Sequence, residues 1–323
     1  MTTNPTPKRA LPGQLPTLAL GAMNFGQRTP ADESERIVRR ALERGITVFD
    51  TANSYYAGES ERILGRALGR DRERVVLTSK VGIGADMSKR EGLSPEVMRG
   101  ALAGSLERLG TDRLDVYYLH FPDRTTPIDR TLDAMKELIA SGRVRHWGVS
   151  NYASWEILEM VGLGDARGLA RPSLAQMIYS VLHRQLEVEY FGFARRYGLH
   201  TSIYNPLAGG LLTGSHRFEE APVKGSRFDH NRMYRGRYWT RTMFARVEQL
   251  RPLAAREGLS LVDFAYAWVA GRPDVDSILV GPATVAQLDQ AFDAIARPLS
   301  PATLAEADAL AAEWSGTDTN YVR

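Results

Sequence analysis

The sequence predicts an α/β fold: a (β/α)8 TIM barrel with a long loop after strand seven and a C-terminal helix and arm. Two observations carry this. Eight short apolar segments rich in β-formers alternate with eight amphipathic helical segments along the 323 residues, a pattern that calls for a parallel sheet closed on itself. The first strand also leads into Gly21-Ala22-Met23-Asn24-Phe25-Gly26, which lacks the G-x-G-x-x-G fingerprint that an open doubly wound sheet usually carries at that place. Gly82-Ile83-Gly84 lacks the third glycine.

The expected strands are 17–20, 47–50, 75–81, 114–120, 144–150, 173–176, 199–205 and 277–280. Several are continuous apolar runs, as strands buried on both faces require. The helix over 34–44 places Ile37, Val38, Ala41 and Leu42 on one face, and Gly45 ends it. The next spans 60–68 and closes at Gly69. Ser94 as N-cap and Pro95 at the first helical position open a third, which runs to Leu109 and stops at Gly110. Further helices are expected over 131–140, 155–161, 189–197, 261–269 and 285–296. The connection 211–245 is long enough to be functional. Its aromatics, Phe218, Phe228, Tyr234, Tyr238 and Trp239, argue against disorder. After residue 301 a helix is expected, then an arm ending Thr319-Asn320-Tyr321-Val322-Arg323. Residues 1–14 are polar and Pro-rich, a loose tail without the apolar core of a signal peptide, ahead of one domain over 15–323.

Composition narrows the function classes. Hydrophobic residues make up 43% and charged residues 24%, the balance of a soluble globular chain. No window approaches the ~18 apolar residues of a membrane span, so a membrane partner is not expected. Cysteine is absent, which excludes disulfides, thiolate metal sites and cysteine nucleophiles. That absence is compatible with a reducing cytoplasm, the expected location. The 41 basic residues are interspersed with 38 acidic ones, for a net charge of +3, and form no run that would mark a nucleic-acid surface. A homodimer is compatible with this surface.

Barrel enzymes place their chemistry at the C-terminal ends of the strands. Here strand two ends in Asp50, followed by Thr51-Ala52-Asn53-Ser54-Tyr55. Strand three carries Lys80, and strand four ends in His120. Strands five, six and seven end in Ser150-Asn151, Gln176 and Tyr204-Asn205. Taken singly, an Asp can cap a helix, a Tyr can pack and a His can sit in a core. Together they form an acid–base set. Lysine is scarce, at 8, 80, 89, 136 and 224 only, and one in a buried strand needs a partner, for which Asp50 is placed. An ammonium beside a phenol favours its ionised form, so a tyrosine of the Tyr55-Tyr56 doublet is expected to titrate below the ordinary tyrosine pKa of about 10 and to serve as an acid. No H-E-x-x-H, G-x-x-x-x-G-K-[ST] or G-x-S-x-G is present and the six histidines are scattered, so no metal site is expected. Paired carboxylates for glycoside hydrolysis are not evident.

These residues resemble the aldo-keto reductases. Phe49 to Tyr55, followed by Ser60-Glu61-Arg62-Ile63-Leu64-Gly65, is similar to that family's opening signature, as are Thr78-Ser79-Lys80 and Tyr117-Tyr118-Leu119-His120. Gly148-Val149-Ser150-Asn151, and Gln176 with Tyr179, resemble its nicotinamide-carboxamide motif. The resemblance is nearest to the aflatoxin-aldehyde and succinic semialdehyde reductase branch. It rests on Leu119-His120-Phe121-Pro122-Asp123, on Ser150 to Trp155, on Asn205 to Gly214, on Met233 to Trp239 and on the Asn-Tyr-Val-Arg ending.

The resemblance implies NADPH-dependent reduction of aldehydes, with ketones as a further class, by hydride transfer. Tyr55 would be the proton donor, tuned by Lys80 and Asp50, and His120 would orient the carbonyl. Ser150, Asn151 and Gln176 would hold the carboxamide. Tyr204, Asn205, Pro206, Leu207, Ala208, Gly209, Gly210, Leu211, Leu212, Thr213, Gly214 and Ser215 would wrap the pyrophosphate side, with Arg227 nearby. Ala283, Thr284, Gln287 and Ala291 would reach the adenosine phosphate. Tyr234, Arg237 and Arg323 match positions that contact acidic ligands in the branch, so the two guanidinium groups are expected to clamp a substrate carboxylate. Three positions depart from the pattern: the branch usually has Lys where Ser215 stands, Ser where Ala283 stands and Asn where Ala291 stands. These losses weaken the grip on a 2′-phosphate, so NADPH is the expected cofactor and NADH use stays open. Potassium-channel β subunits resemble the same family, which makes a nucleotide-binding regulatory module the alternative.

Overall fold

Strands that are apolar on both sides must be covered on both sides, and closure of the sheet inside a ring of helices does this. In the computed structural model, which describes residues 18–84 and 89–315, eight parallel strands form a closed barrel: β1 (Leu18–Gly21), β2 (Val48–Asp50), β3 (Val76–Val81), β4 (Leu114–Leu119), β5 (Val144–Ser150), β6 (Leu174–Ile178), β7 (His200–Tyr204) and β8 (Ser277–Val280). They pair in chain order, and β8 returns to β1 with Leu18 opposite Ile278. The expected tail over 1–14 and the arm ending in Arg323 lie outside the described residues.

Outside the sheet lie α1 (Ala31–Glu43), α2 (Glu59–Leu68), α3 (Pro95–Leu109), α4 (Ile128–Ala140), α5 (Ser154–Arg167) and α6 (Tyr190–Tyr197). They are followed by α7 (Arg232–Tyr238), α8 (Arg241–Arg256), α9 (Leu261–Ala270), α10 (Val285–Ile295) and α11 (Pro301–Ser315). The boundary chemistry of α3 is as the sequence predicts: the Ser94 hydroxyl accepts from Val97 N–H at 3.3 Å, and Gly110 takes a left-handed conformation at the far end.

Alternation along the strands divides the core in two. Phe49, Leu77, Tyr117, Trp147, Ala175 and Ile203 point outward and pack among the helices. Val76, Val116, Tyr118 and Leu174 point into the barrel. Asp50, Thr78 and Gln176 share that inner space. Gly148 on β5 keeps it open: a Cβ there would stand 2.7 Å from the Leu174 carbonyl oxygen and 2.9 Å from the Tyr118 ring. Register then sets the site. Asp50 is paired with Thr78, Lys80 with Tyr118 and Ser150 with Gln176, so the polar strand ends sit at one level.

Two stretches differ from expectation. Helix α5 runs on to Arg167 instead of ending near Val161, through Gly162 and Gly164, whose low helix propensity reads as a stop. The stretch 211–245 is not one loop. It contains α7 and the start of α8, a helix that carries Pro252 in its interior and exposes much of its arginine-rich surface.

Candidate active site

A lysine with none of its surface exposed needs a counter-charge and acceptors. Lys80 is fully buried, and its ammonium donates to Asp50 Oδ1 and to the Thr51 carbonyl at 2.8 Å. Asp50 Oδ2 accepts from Thr78 Oγ1 at 2.6 Å and from Gln176 Nε2 at 3.0 Å. The pair is thus satisfied from β2, β3 and β6 at once. Burial pulls the Lys80 pKa down, against the pull of Asp50.

Tyr55 follows β2 in a turn where Tyr56 and Ala57 both take left-handed backbone angles, φ 50° and 53°, a conformation that costs a non-glycine residue roughly 1–2 kcal/mol. The turn separates the tyrosine doublet: Tyr55 faces the cavity at the strand ends, and Tyr56 is not among the residues that line it. The Lys80 ammonium is 5.2 Å from the Tyr55 ring centre. The His120 ring meets Tyr55 edge-on, with centres 5.9 Å apart and planes at 82°.

The expected lowering of the Tyr55 pKa does not occur. Burial pushes the phenol well above its ordinary value, Asp50 pushes the same way, and Arg227 opposes only in part. The physical reason is burial of the phenol away from water, to which the nearby Asp50 carboxylate adds its repulsion of a phenolate. These effects favour the neutral form of the Tyr55 phenol. His120 is driven well below the ordinary histidine value by burial, then by Lys80 and Arg90. Its neutral ring keeps Nδ1 without a partner among the described residues.

At the ends of β5 and β7 two asparagines hold left-handed backbones, Asn151 at φ 65° and Asn205 at φ 62°. Asn151 Nδ2 donates to the His120 carbonyl at 3.1 Å and to Ser150 Oγ at 3.0 Å, and Ser150 Oγ donates to the Gln176 carbonyl at 2.9 Å. Asn205 Nδ2 donates to the Tyr238 hydroxyl at 3.1 Å. A tight turn over Ala208–Thr213 follows, with Gly209 and Gly210 at φ 70° and 101°. At Gly209 a Cβ would press on the Tyr234 ring at 2.7 Å.

These groups surround a cavity of about 560 Å³. It brings together Asp50, Tyr55, His120, Ser150, Asn151, Gln176, Tyr204, Asn205, Pro206, Leu207, Gly209, Gly210, Thr213, Ser215, Arg227, Tyr234, Arg237 and Gln287. Lys80 lies behind Asp50 rather than on the wall. Ala208, Leu211, Leu212 and Ala291 are buried in the core instead, Gly214 and Ala283 do not line the cavity, and Thr284 caps α10 through Gln287 N–H at 3.2 Å. Tyr179 faces away from the lumen, packed on Phe191 and Trp268. Arg323 is outside the described residues.

The sequence reading missed Met23, Arg28, Phe121, Tyr266 and Gln290 on the same wall. Arg28 and Arg227 both reach Asn24 Oδ1, at 3.5 and 2.7 Å, and Arg227 also donates to the Tyr234 hydroxyl at 3.1 Å. Among the described residues, Arg28, Arg227 and Arg237 are met by amide, carbonyl, phenol and ring groups, with no carboxylate. A cavity with three such guanidinium groups suits a polyanion.

Residues 17–312 match the model of the aldo/keto reductase family. The chain is 36% identical over 319 residues to aflatoxin B1 aldehyde reductase member 2 of Mus musculus, covering 94% of this chain and 87% of that protein. It is 36% identical over 324 residues to aldo-keto reductase family 7 member A3 of Homo sapiens, covering 95% and 96%. It is also 31% identical over 286 residues to a probable voltage-gated potassium channel subunit beta of Arabidopsis thaliana, covering 86% and 87%.

The buried pair yields a stability test. Lys80→Met leaves the Asp50 carboxylate uncompensated, so denaturant unfolding is expected to show a loss of about 3–5 kcal/mol. Adding Asp50→Asn removes the stranded charge, and the double variant is expected to recover part of that loss. An equal loss in both would mean that the pair is not what the lysine's burial depends on.

Proposed function

The chain belongs to the aldo/keto reductase family, and from that premise we propose that it is an NADPH-dependent reductase of aldehydes, with ketones as a further substrate class. One observation carries the reading: the Tyr55 phenol and the His120 imidazole converge at the strand ends beside the Lys80–Asp50 pair. The potassium channel relative keeps a nucleotide-binding regulator as the contrasting reading.

The cavity fits a dinucleotide on three counts. Its guanidinium groups lack carboxylate partners among the described residues, its glycine turn lets the backbone approach a ligand closely, and two asparagines line it at the ends of β5 and β7, on either side of β6. Ser150, Asn151 and Gln176 would hold the carboxamide, and Asn205 to Ser215 with Arg227 would face the phosphates. A bound reduced nicotinamide supplies the hydride. The protein's own part is charge and orientation. The His120 imidazole holds the carbonyl oxygen near the Tyr55 hydroxyl. As that oxygen gains negative charge, Tyr55 gives it the proton. Lys80, 5.2 Å from the Tyr55 ring centre and bound to Asp50, holds the polar floor beside the phenol. Tyr234 and Arg237 line the far side of the cavity, where they would meet an acidic group on the substrate.

Three measurements bear on this. Tyr55→Phe is expected to keep NADPH binding while turnover of 4-nitrobenzaldehyde drops by about 10²–10⁴; Tyr56→Phe is expected to keep turnover. Parent protein that binds NADPH without any turnover would favour the regulator instead.

The raised Tyr55 pKa keeps the donor protonated as pH rises, and the depressed His120 pKa keeps the ring neutral as pH falls. kcat/KM for reduction is therefore expected to be flat from about pH 6 to pH 9. A decline setting in near pH 8 would reinstate a lowered phenol pKa.

Ser215 lies on the cavity wall, its hydroxyl 2.7 Å from that of Thr213. Without a cation there, preference for NADPH over NADH is expected to be weak. Ser215→Lys is expected to tighten NADPH binding by about 0.3–1 kcal/mol, read by titration; unchanged affinity would show that this side chain does not reach the phosphates.

A further inference from the structure

The turn that carries Tyr55 is strained along three successive residues: Tyr56, Ala57 and Gly58 take φ 50°, 53° and 82°. A backbone of this kind persists only where its surroundings hold it. Here it is held from two sides. On the far side Arg108 backs the turn so closely that a Cβ on Gly58 would stand 2.4 Å from its side chain, and Arg108 Nε donates to the fully buried Glu61 carboxylate at 2.7 Å. On the near side stands Glu91. Its Oε1 accepts from Asn53 Nδ2 at 2.7 Å and from the Gly82 N–H at 2.9 Å.

Glu91 does not line the cavity. Its leverage comes from its partners: Asn53 lies two residues before Tyr55, and Gly82 lies two residues after Lys80. Asn53 is buried, its Oδ1 has no hydrogen-bond partner among the described residues, and its backbone N–H reaches the Lys80 carbonyl only at 3.4 Å. The bond to Glu91 is the firmer of its two ties to that side of the barrel. Between Asn53 and the phenol the chain makes one turn, closed by the Tyr55 N–H on the Ala52 carbonyl at 3.2 Å, so a shift at Asn53 passes to the Tyr55 ring. Glu91 is itself brought back beside Gly82 by its own segment. Ile83 bridges Arg90, the Gly84 N–H donates to the Lys89 carbonyl at 2.8 Å, and the Leu93 N–H donates to Asp123 Oδ2 at 2.7 Å. A charged acceptor shared by two donors holds them more firmly than a neutral one.

We propose that Glu91 is a positioning residue for the proton donor: by tying Asn53 to Gly82 it fixes where the Tyr55 phenol stands against His120 and the Lys80–Asp50 pair. This rests on the reading of Tyr55 as that donor, and it adds a residue from outside the cavity.

The test compares the parent chain with Glu91→Ala, Glu91→Gln, Asn53→Leu, the Glu91→Ala/Asn53→Leu double variant and Tyr55→Phe. NADPH affinity is read by quenching of tryptophan fluorescence. Hydride transfer is read in a single turnover of 4-nitrobenzaldehyde, with protein in excess over NADPH, from the loss of reduced-cofactor absorbance. Small displacements at a reacting group are costly, so Glu91→Ala is expected to lower the single-turnover rate by about 10–100-fold while NADPH affinity stays within about twofold. Asn53→Leu keeps the volume and removes the donor. It is expected to show the same split, and it carries the test if circular dichroism shows Glu91→Ala unfolded. The double variant is expected to be no more than about twofold slower than the worse single variant, since both break one tie. Glu91→Gln keeps an acceptor in place and is expected to hold the rate within about threefold of the parent. A merely structural role would lower the melting temperature of Glu91→Ala and leave its single-turnover rate unchanged. That result, beside a slow Tyr55→Phe, would overturn the proposal and leave the Arg108 side as the sole hold on the turn. Fully additive losses in the double variant, NADPH affinity falling as far as the rate, or a Glu91→Gln as slow as Glu91→Ala would each overturn it too. Parental turnover in Tyr55→Phe would instead overturn the reading of Tyr55 as the donor, and this proposal with it.

Discussion

An ammonium and a carboxylate buried at the centre of a barrel constrain everything built around them. Removing two charges from water costs several kcal/mol each even after relaxation, so the surrounding strands have to supply acceptors and donors at fixed positions. Lys80 takes Asp50 and the Thr51 carbonyl; Asp50 takes Thr78 and Gln176. The register of β2 with β3 and of β5 with β6 therefore has little freedom, because a slip of one residue would turn these groups out of the lumen. Gly148 answers the same demand for space by leaving room for the Tyr118 ring inside the barrel.

The same pair bears on the character of the Tyr55 phenol. Had the ammonium been uncompensated, it would have drawn the Tyr55 phenol toward ionisation. Neutralised by Asp50, it leaves burial in command, and the phenol keeps its proton. A phenol of that kind suits hydrogen bonding to charge as it forms on a neighbouring oxygen, rather than ionising itself. His120, held neutral by its surroundings, fits that logic as a hydrogen-bond donor rather than a cation.

The strands were legible because a segment buried on both faces must be apolar throughout, and the strand ends stood out as the places where that run breaks into Asp50, His120, Ser150-Asn151 and Gln176. The structure brings all of these onto one cavity wall. What escaped the sequence has physical causes. Helix α8 is rich in arginine and contains Pro252, so its apolar period is faint. Arg28 is one arginine among many, and only folding carries it beside Arg227 and Asn24. Tyr179 resembles a cavity residue by motif, yet strand alternation sends it outward: Gln176 faces the lumen, and a residue three further along does not. The direction of the Tyr55 pKa depended on two opposed effects, burial and a neutralised neighbour, whose balance no spacing in a sequence reveals.

Closure of the barrel by β1 and β8 has a consequence for the order in which the molecule is made. Tyr55, the buried Lys80–Asp50 pair and His120 all come from β2 to β4 and their ends, whereas Ser150, Asn151, Gln176, Tyr204 and Asn205 come from β5 to β7. A ribosome delivers the first group well before the second. Until β6 arrives, Asp50 lacks the Gln176 donor, and until β8 docks on β1 the lumen has an open seam. A half-barrel without β6 to β8 would leave the ion pair open to water, so its full burial requires the strands that are made last. Late chain segments therefore decide when the earlier ones become dry, which places the slowest, most long-range contact of the fold at the end of translation.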